Sequence, residues 1–129
     1  MIHIDYKDSR PIYEQISDKL GELILYGILE ADSQLPSVRN LAMELAINPN
    51  TIQKAYADLE RKGYTYSVKG KGNFVSKTEA LQKEKKMDII QKMKELMTEA
   101  KKLGIDMEEV KKVVEQSYGS ETGAEDGVK

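Results

Sequence analysis
The stretch Leu35–Phe74, LPSVRNLAMELAINPNTIQKAYADLERKGYTYSVKGKGNF, decides the fold. Pro36 interrupts what precedes it, and the Ser37 hydroxyl suits an N-cap, where it takes a free amide of a first helical turn. From Val38 the apolar residues Leu41, Ala42, Leu45 and Ala46 recur at three-and-four spacing, which predicts a helix with one buried face. Ile47-Asn48-Pro49-Asn50 breaks it. Pro49 cannot continue a helical ladder but fits the first turn of a new helix, with Asn48 as its cap. The second helix is expected to bury Ile52, Ala55, Tyr56 and Leu59 and to end on Gly63 in the left-handed conformation. Tyr64–Val68 and Asn73–Ser76 then read as short strands joined by Lys69-Gly70-Lys71-Gly72. Helix, tight turn, helix and hairpin in that order make a winged helix-turn-helix.

The exposed residues of this unit carry the chemistry. Asn50, Thr51, Gln53 and Lys54 crowd the start of the second helix, the end that meets base edges and phosphates when such a helix enters a major groove. Asn and Gln can pair bidentately with adenine, and Thr can touch a phosphate or a thymine methyl. Arg39 can fork onto guanine or a phosphate. At the hairpin tip the glycines permit positive φ and close backbone approach, while Lys69 and Lys71 supply charge for phosphates. Taken singly, each of these residues is equally at home as a solvated polar group on an ordinary helical hairpin. Their combination with the turn and the wing points to nucleic acid.

Leu35–Ala42, Asn48–Tyr56, Leu59–Gly63 and Gly70–Val75 together resemble the DNA-binding domain of GntR-family bacterial transcription regulators, over residues 9–77 without a gap. The Asn48-Pro49-Asn50-Thr51 turn and the short tail are similar to the YtrA-like subfamily. The resemblance implies that Ser37, Arg39, Asn48, Asn50, Thr51, Gln53, Lys54, Lys69, Gly70 and Lys71 contact operator DNA, the wing glycine in the minor groove. Several subfamilies place arginines where this chain has Pro49 and Gln53, so their operator sequences do not transfer. Asn73 stands where Thr or Ser is commoner.

Outward from this unit, Ser9-Arg10-Pro11 is expected to open a helix, with Ser9 as cap and Ile12, Ile16, Leu20, Leu23 and Ile24 as its buried stripe; Gly27 ends it. Before it, Ile2, Ile4 and Tyr6 alternate as a small strand or a packed extended arm. Residues 28–35 form a loop, which in the family packs beside the wing. After Thr78 the composition changes to dense mixed charge, with apolar residues recurring along a long helix that Gly104 stops. Asp106 caps a second helix, with Glu109 completing a capping-box pair. Met87, Ile90, Met93, Leu96, Met97, Ala100 and Leu103 on the first, and Val110, Val113 and Val114 on the second, form stripes that two short helices cannot bury alone. Packing onto their own winged helix is the simpler outcome. A homodimer interface is the favoured one, because two-fold operators are read by two recognition helices. The expected organisation is a DNA-binding domain over 1–78, a helical dimerisation segment over 79–117, and a frayed or disordered tail over 118–129.

The chain has 129 residues, 40% of them apolar, and no Cys, so a thiolate metal site and a disulfide framework are excluded. Its formal charge is −2, but residues 34–78 hold seven Lys and Arg against three acids, a local +4 that governs the docking face. His3 is the only histidine, so neither a His-based metal set nor a Ser-His pair can be assembled, and no enzyme, metal or cofactor is expected. Glu108-Glu109 reads as helix N-terminal charge rather than an acid/base site. With no apolar run of membrane length and no signal peptide, a cytoplasmic location is expected. About fifty residues after Thr78 cannot hold the larger effector domain of other family members. An unidentified small-molecule effector therefore has room only at the dimer interface or between tail and winged helix. The expected function is a dimeric repressor on a palindromic operator. The resemblance implies an operator of its own gene or of a neighbouring transport operon.

Overall fold
The computed structural model describes residues 2–119. In chain order they form α1 (Ile12–Leu25), α2 (Val38–Leu45), α3 (Pro49–Arg61), β1 (Thr65–Val68), β2 (Gly72–Val75), α4 (Glu79–Lys102) and α5 (Met107–Tyr118). The fold is mainly helical with one antiparallel hairpin, a winged helix-turn-helix followed by two helices. Two compact units divide it, one ending at Lys83 and the other starting at Glu84.

In the first unit α1 and α2 both pack against α3. Ile16, Ile24, Ile52, Leu59 and Val75 are fully buried, with Leu20, Leu35, Leu41 and Tyr56 around them. Each fully buried aliphatic side chain contributes about 2 kcal/mol. The Tyr56 hydroxyl donates to the Pro36 carbonyl at 2.7 Å and ties mid-α3 to the segment before α2. Burial and the Glu44 charge push its pKa up to about 12, so this donor keeps its proton at ordinary pH.

A buried polar knot fastens α1 to α3. Asp58 on α3 is 3% exposed. It accepts from the Ser17 hydroxyl of α1 at 2.7 Å, from the Lys62 ammonium at 2.9 Å, and from the Arg61 guanidinium. Burial pushes the Asp58 carboxyl up, but these donors and the two neighbouring cations outweigh it and hold the group below the ordinary carboxylate range. Lys62 is shifted upward by the same hydrogen bond.

Caps explain most helix ends. The Ser37 side chain accepts from the Asn40 amide and the Asn48 side chain from the Asn50 amide. At the end of α3 the Gly63 amide bonds Glu60 and the Tyr64 amide bonds Leu59, with Gly63 at φ 87°, a Schellman closure. The expected Ser9 cap is corrected. Pro11 occupies the N-cap of α1 and no side chain caps it. The entry is held instead by Gln15, whose side chain accepts from the Asp5 amide and donates to the Asp5 carbonyl, both at 3.0 Å. That clamp, with no strand, packs Ile2 and Ile4 on the core, whereas Tyr6 is 74% exposed and leaves the expected alternation.

Ala46 is a second correction. It does not extend the buried stripe of α2 but forms the turn, exposed and left-handed at φ 55°, ψ 49°. The chain reverses there so that Ile47 can donate back to Ala42. A side chain in this conformation is strained, so Ala46→Gly should stabilise the protein by about 1 kcal/mol in urea unfolding. A destabilised variant would show that the Ala46 methyl makes compensating contacts.

In the wing, Thr65 pairs with Val75, Tyr66 with Phe74, Ser67 with Asn73 and Val68 with Gly72. Gly72 therefore belongs to β2, one residue earlier than expected, while Tyr64 and Ser76 lie outside the strands. The Tyr66 and Phe74 rings stack at 5.7 Å. The loop before α2 adds a third edge, as the family resemblance implied: Leu35 donates to Asn73, Val75 to Ser33, and Asp32 to Val75.

In the second unit, Gly104 at φ 79° closes α4, with Ile105 donating to Ala100 and Gly104 to Lys101. The Asp106 side chain caps α5 through the Glu109 amide at 3.0 Å. Fraying from Ser117 is corrected in part, because α5 continues through Tyr118; the rest of the expected tail, 120–129, lies outside the described residues. No residue of either helix from Glu84 onward is fully buried. Met93, Leu96, Met97, Ala100, Val110, Val113 and Val114 line an open apolar groove of about 470 Å³, together with Ile105, Ser117 and Tyr118. Met87, Ile90 and Leu103 lie outside its walls and are themselves exposed. Among the described residues no helix is long and apolar enough to cross a membrane.

Candidate nucleic-acid interface
The start of α3 is built by its own cap. Asn48 Oδ1 takes the Asn50 amide at 2.8 Å, which leaves the Asn48 side-chain N–H groups free to face a partner. Pro49 in the first turn contributes no N–H, as suits that position. Asn50 and Gln53 are exposed and Thr51 is half-buried. Lys54 is exposed, with its ammonium over the Tyr13 ring of α1 at 4.5 Å from the centroid. Asn50, Thr51 and Lys54 share one shallow concavity of about 400 Å³ with Pro11, Ile12 and Tyr13.

Ser37 and Arg39 sit at the start of α2. The Ser37 oxygen accepts the Asn40 amide at 3.0 Å and still has a proton to donate. Arg39 is exposed and enters no salt bridge among the described residues, so its five donors are unspent. Neither lines the α3 concavity.

Lys69, Gly70 and Lys71 form the exposed tip of the wing. The Lys71 amide closes the turn on the Val68 carbonyl at 2.9 Å, and Gly70 takes φ 77°, which a side chain would resist. Two contacts that sequence reading missed hold this tip. Gln34 Nε2 donates to the Lys71 carbonyl at 2.7 Å. A Cβ on Gly72 would come to 3.0 Å of that same nitrogen, so the glycine makes room for the buttress. The Ser67 hydroxyl lies 2.6 Å from Glu60 Oε1, linking the wing to α3. Neither Gln34 nor Tyr13 bears a local signal, because each acts through a partner tens of residues away.

The described residues include no group of His, Cys, Asp and Glu able to hold a metal ion. What the surface offers is hydrogen-bond donors, amides and positive charge on three rigid supports, a set suited to a polyanion with readable base edges.

Comparison with known proteins points to DNA as the partner class. The family model "Bacterial regulatory proteins, gntR family" matches residues 12–75. A second, "GapR-like, DNA-binding domain", matches residues 72–122. The chain is 41% identical to the HTH-type transcriptional repressor YtrA of Bacillus subtilis, over 85% of this chain and 86% of that protein. A transcriptional regulator from Oenococcus oeni superposes with a TM-score of 0.71 at 31% identity, covering 92% of this chain and all of that one. The AraR DNA-binding domain in complex with operator ORR3 superposes at 0.51 with 30% identity, over 57% of this chain and 89% of that one. These are regulators rather than enzymes, and the chain belongs to the GntR family of bacterial transcription regulators, with a winged-helix DNA-binding domain.

Proposed function
We propose that this DNA-binding regulator is a homodimeric cytoplasmic repressor that occupies a palindromic operator of its own gene or of a neighbouring transport operon. The observation that carries the reading is the cluster at the start of α3, Asn50, Thr51, Gln53 and Lys54, backed by Arg39 and the Lys-Gly-Lys wing tip. In this reading Asn50 and Gln53 meet base edges, while Ser37, Asn48, Thr51 and Lys54 fix the register on phosphates. Arg39 forks onto a guanine or a phosphate, and Lys69, Gly70 and Lys71 follow the adjacent minor groove.

The dimer is supported by the second unit. Met93, Leu96 and Met97 on α4 and Val113, Val114 and Tyr118 on α5 leave a large apolar surface exposed, which a single soluble chain rarely tolerates. A second copy of the same surface covers it with two-fold symmetry and sets two recognition helices on two half-sites. Repression then follows by steric occlusion of a promoter. The repressor named among the relatives supports the direction of control.

The match to a GapR-like DNA-binding domain raises a second reading, in which α4 and α5 touch DNA themselves. Residues 84–119 hold eight lysines and eight acids, so this segment lacks the excess positive charge that phosphate binding draws on. The apolar groove favours the dimer.

Selection from random and genomic duplexes, followed by anisotropy at two salt concentrations, tests the proposal. The expected result is a palindrome with half-sites about one helical turn apart and an affinity that falls steeply with salt. Recovery of a single, non-repeated site would overturn the dimeric operator.

A further inference from the structure
Tyr13 lies on α1 and is not among the residues that the sequence assigns to DNA contact, yet its ring sits beneath the Lys54 ammonium at 4.5 Å. The ring is half-buried and packed against the core, so it is a fixed platform. Lys54 is exposed and forms no salt bridge among the described residues. A lysine without a partner samples many rotamers, and immobilising it on a ligand costs that freedom. A cation over an aromatic face is attracted by the ring quadrupole while its outward N–H groups remain free to donate. Both residues border the concavity that also contains Asn50 and Thr51, at the start of α3.

We propose that Tyr13 is a positioning residue for DNA binding, whose ring holds the Lys54 ammonium at the edge of this concavity, pre-set to meet a backbone phosphate. The inference rests on the reading of Lys54 as a phosphate contact. A phosphate suits it better than a base edge, because an ammonium is a point charge without the planar fork that reads bases bidentately. The ring reduces the ordering that Lys54 must undergo on binding, so its effect reaches DNA only through Lys54.

A random-sequence duplex is the probe, since a phosphate contact does not depend on base sequence. Affinity and its salt dependence are measured for the wild type, Tyr13→Phe, Tyr13→Leu, Lys54→Met and the Tyr13→Leu/Lys54→Met double variant. Lys54→Met should weaken binding and reduce the slope of log K against log salt by about 0.9, the value for one phosphate contact. Tyr13→Leu should weaken binding about two- to fivefold, the range of an exposed cation–π contact. Tyr13→Phe, which keeps the ring, should bind as the wild type does. In the Lys54→Met background, Tyr13→Leu should cost nothing further. An equal loss from Tyr13→Leu in both backgrounds would assign the ring a purely structural role and overturn the positioning proposal alone. An unchanged affinity and slope for Lys54→Met would remove the phosphate contact itself, and both readings with it.

Discussion

Ending the chain at Lys83 should leave a folded monomer whose affinity for the proposed two-fold operator is lower by about 10²–10⁴, the gain that linking two binding modules usually supplies. The cut is placed where the first unit ends rather than at the close of the wing, for a physical reason. Gln82, in the first turn of α4, donates to the Leu25 carbonyl at 2.7 Å and helps close the end of α1. Among the described residues every fully buried one lies before that point, so the core stays intact. What is lost is the groove formed by Met93, Leu96, Met97, Val110 and Val113, whose burial is assigned to a second copy. Sedimentation or light scattering reads the mass, and anisotropy on the full operator and on a half-site reads the linkage. The truncated chain should bind both duplexes equally weakly. A truncated chain that remains a dimer would move the interface into the winged helix and leave the groove without its proposed partner.

The second large effect concerns stability. Asp58→Ala removes the acceptor on which Ser17, Arg61 and Lys62 converge and leaves the buried Ser17 hydroxyl without a partner. Hydrogen bonds to a charged group are worth about 1.5–3 kcal/mol. Arg61 and Lys62 are exposed enough to return to water, so the expected loss at neutral pH is about 2–3 kcal/mol rather than the larger cost of stranding a buried charge. The pH dependence has a definite sign. Asp58 is held below the ordinary carboxylate range in the folded state. Its contribution is therefore fully present above the unfolded value near pH 4 and fades as the pH falls through the folded one. Urea unfolding from neutral pH down to acid should show a constant gap between wild type and variant, narrowing only below about pH 4. A gap that keeps its full size in strong acid would mean that packing, not charge, makes Asp58 important.

The helix-turn-helix was legible because its signals are local. Ser37, Asn48 and Gly63 cap their helices where the sequence placed them, and Ile52, Ala55, Tyr56 and Leu59 are buried as their spacing requires. Ser9 failed as a cap because a competing tertiary contact, the Gln15 clamp on Asp5, already fixed how the arm enters α1. Ala46 failed as a core residue because helical periodicity does not say where a helix stops, and a left-handed alanine leaves no mark in composition. Of the candidate site, the structure brings Asn50, Thr51 and Lys54 into one concavity, while Arg39 and the wing tip stand on separate supports.

By itself the sequence determined the order of elements, the polar cluster at the start of α3, the basic turn of the wing and the apolar stripes of the last two helices. Each depends on neighbours within a few residues, where capping, periodicity and turn chemistry act. Only the tertiary structure decided that Tyr13 underlies Lys54, that Gln34 buttresses the wing tip, and that Ser17 and Lys62 meet on Asp58. Most of these contacts join elements that are remote along the chain, and a sequence pattern has no term for such a pair until packing has set the distance between them.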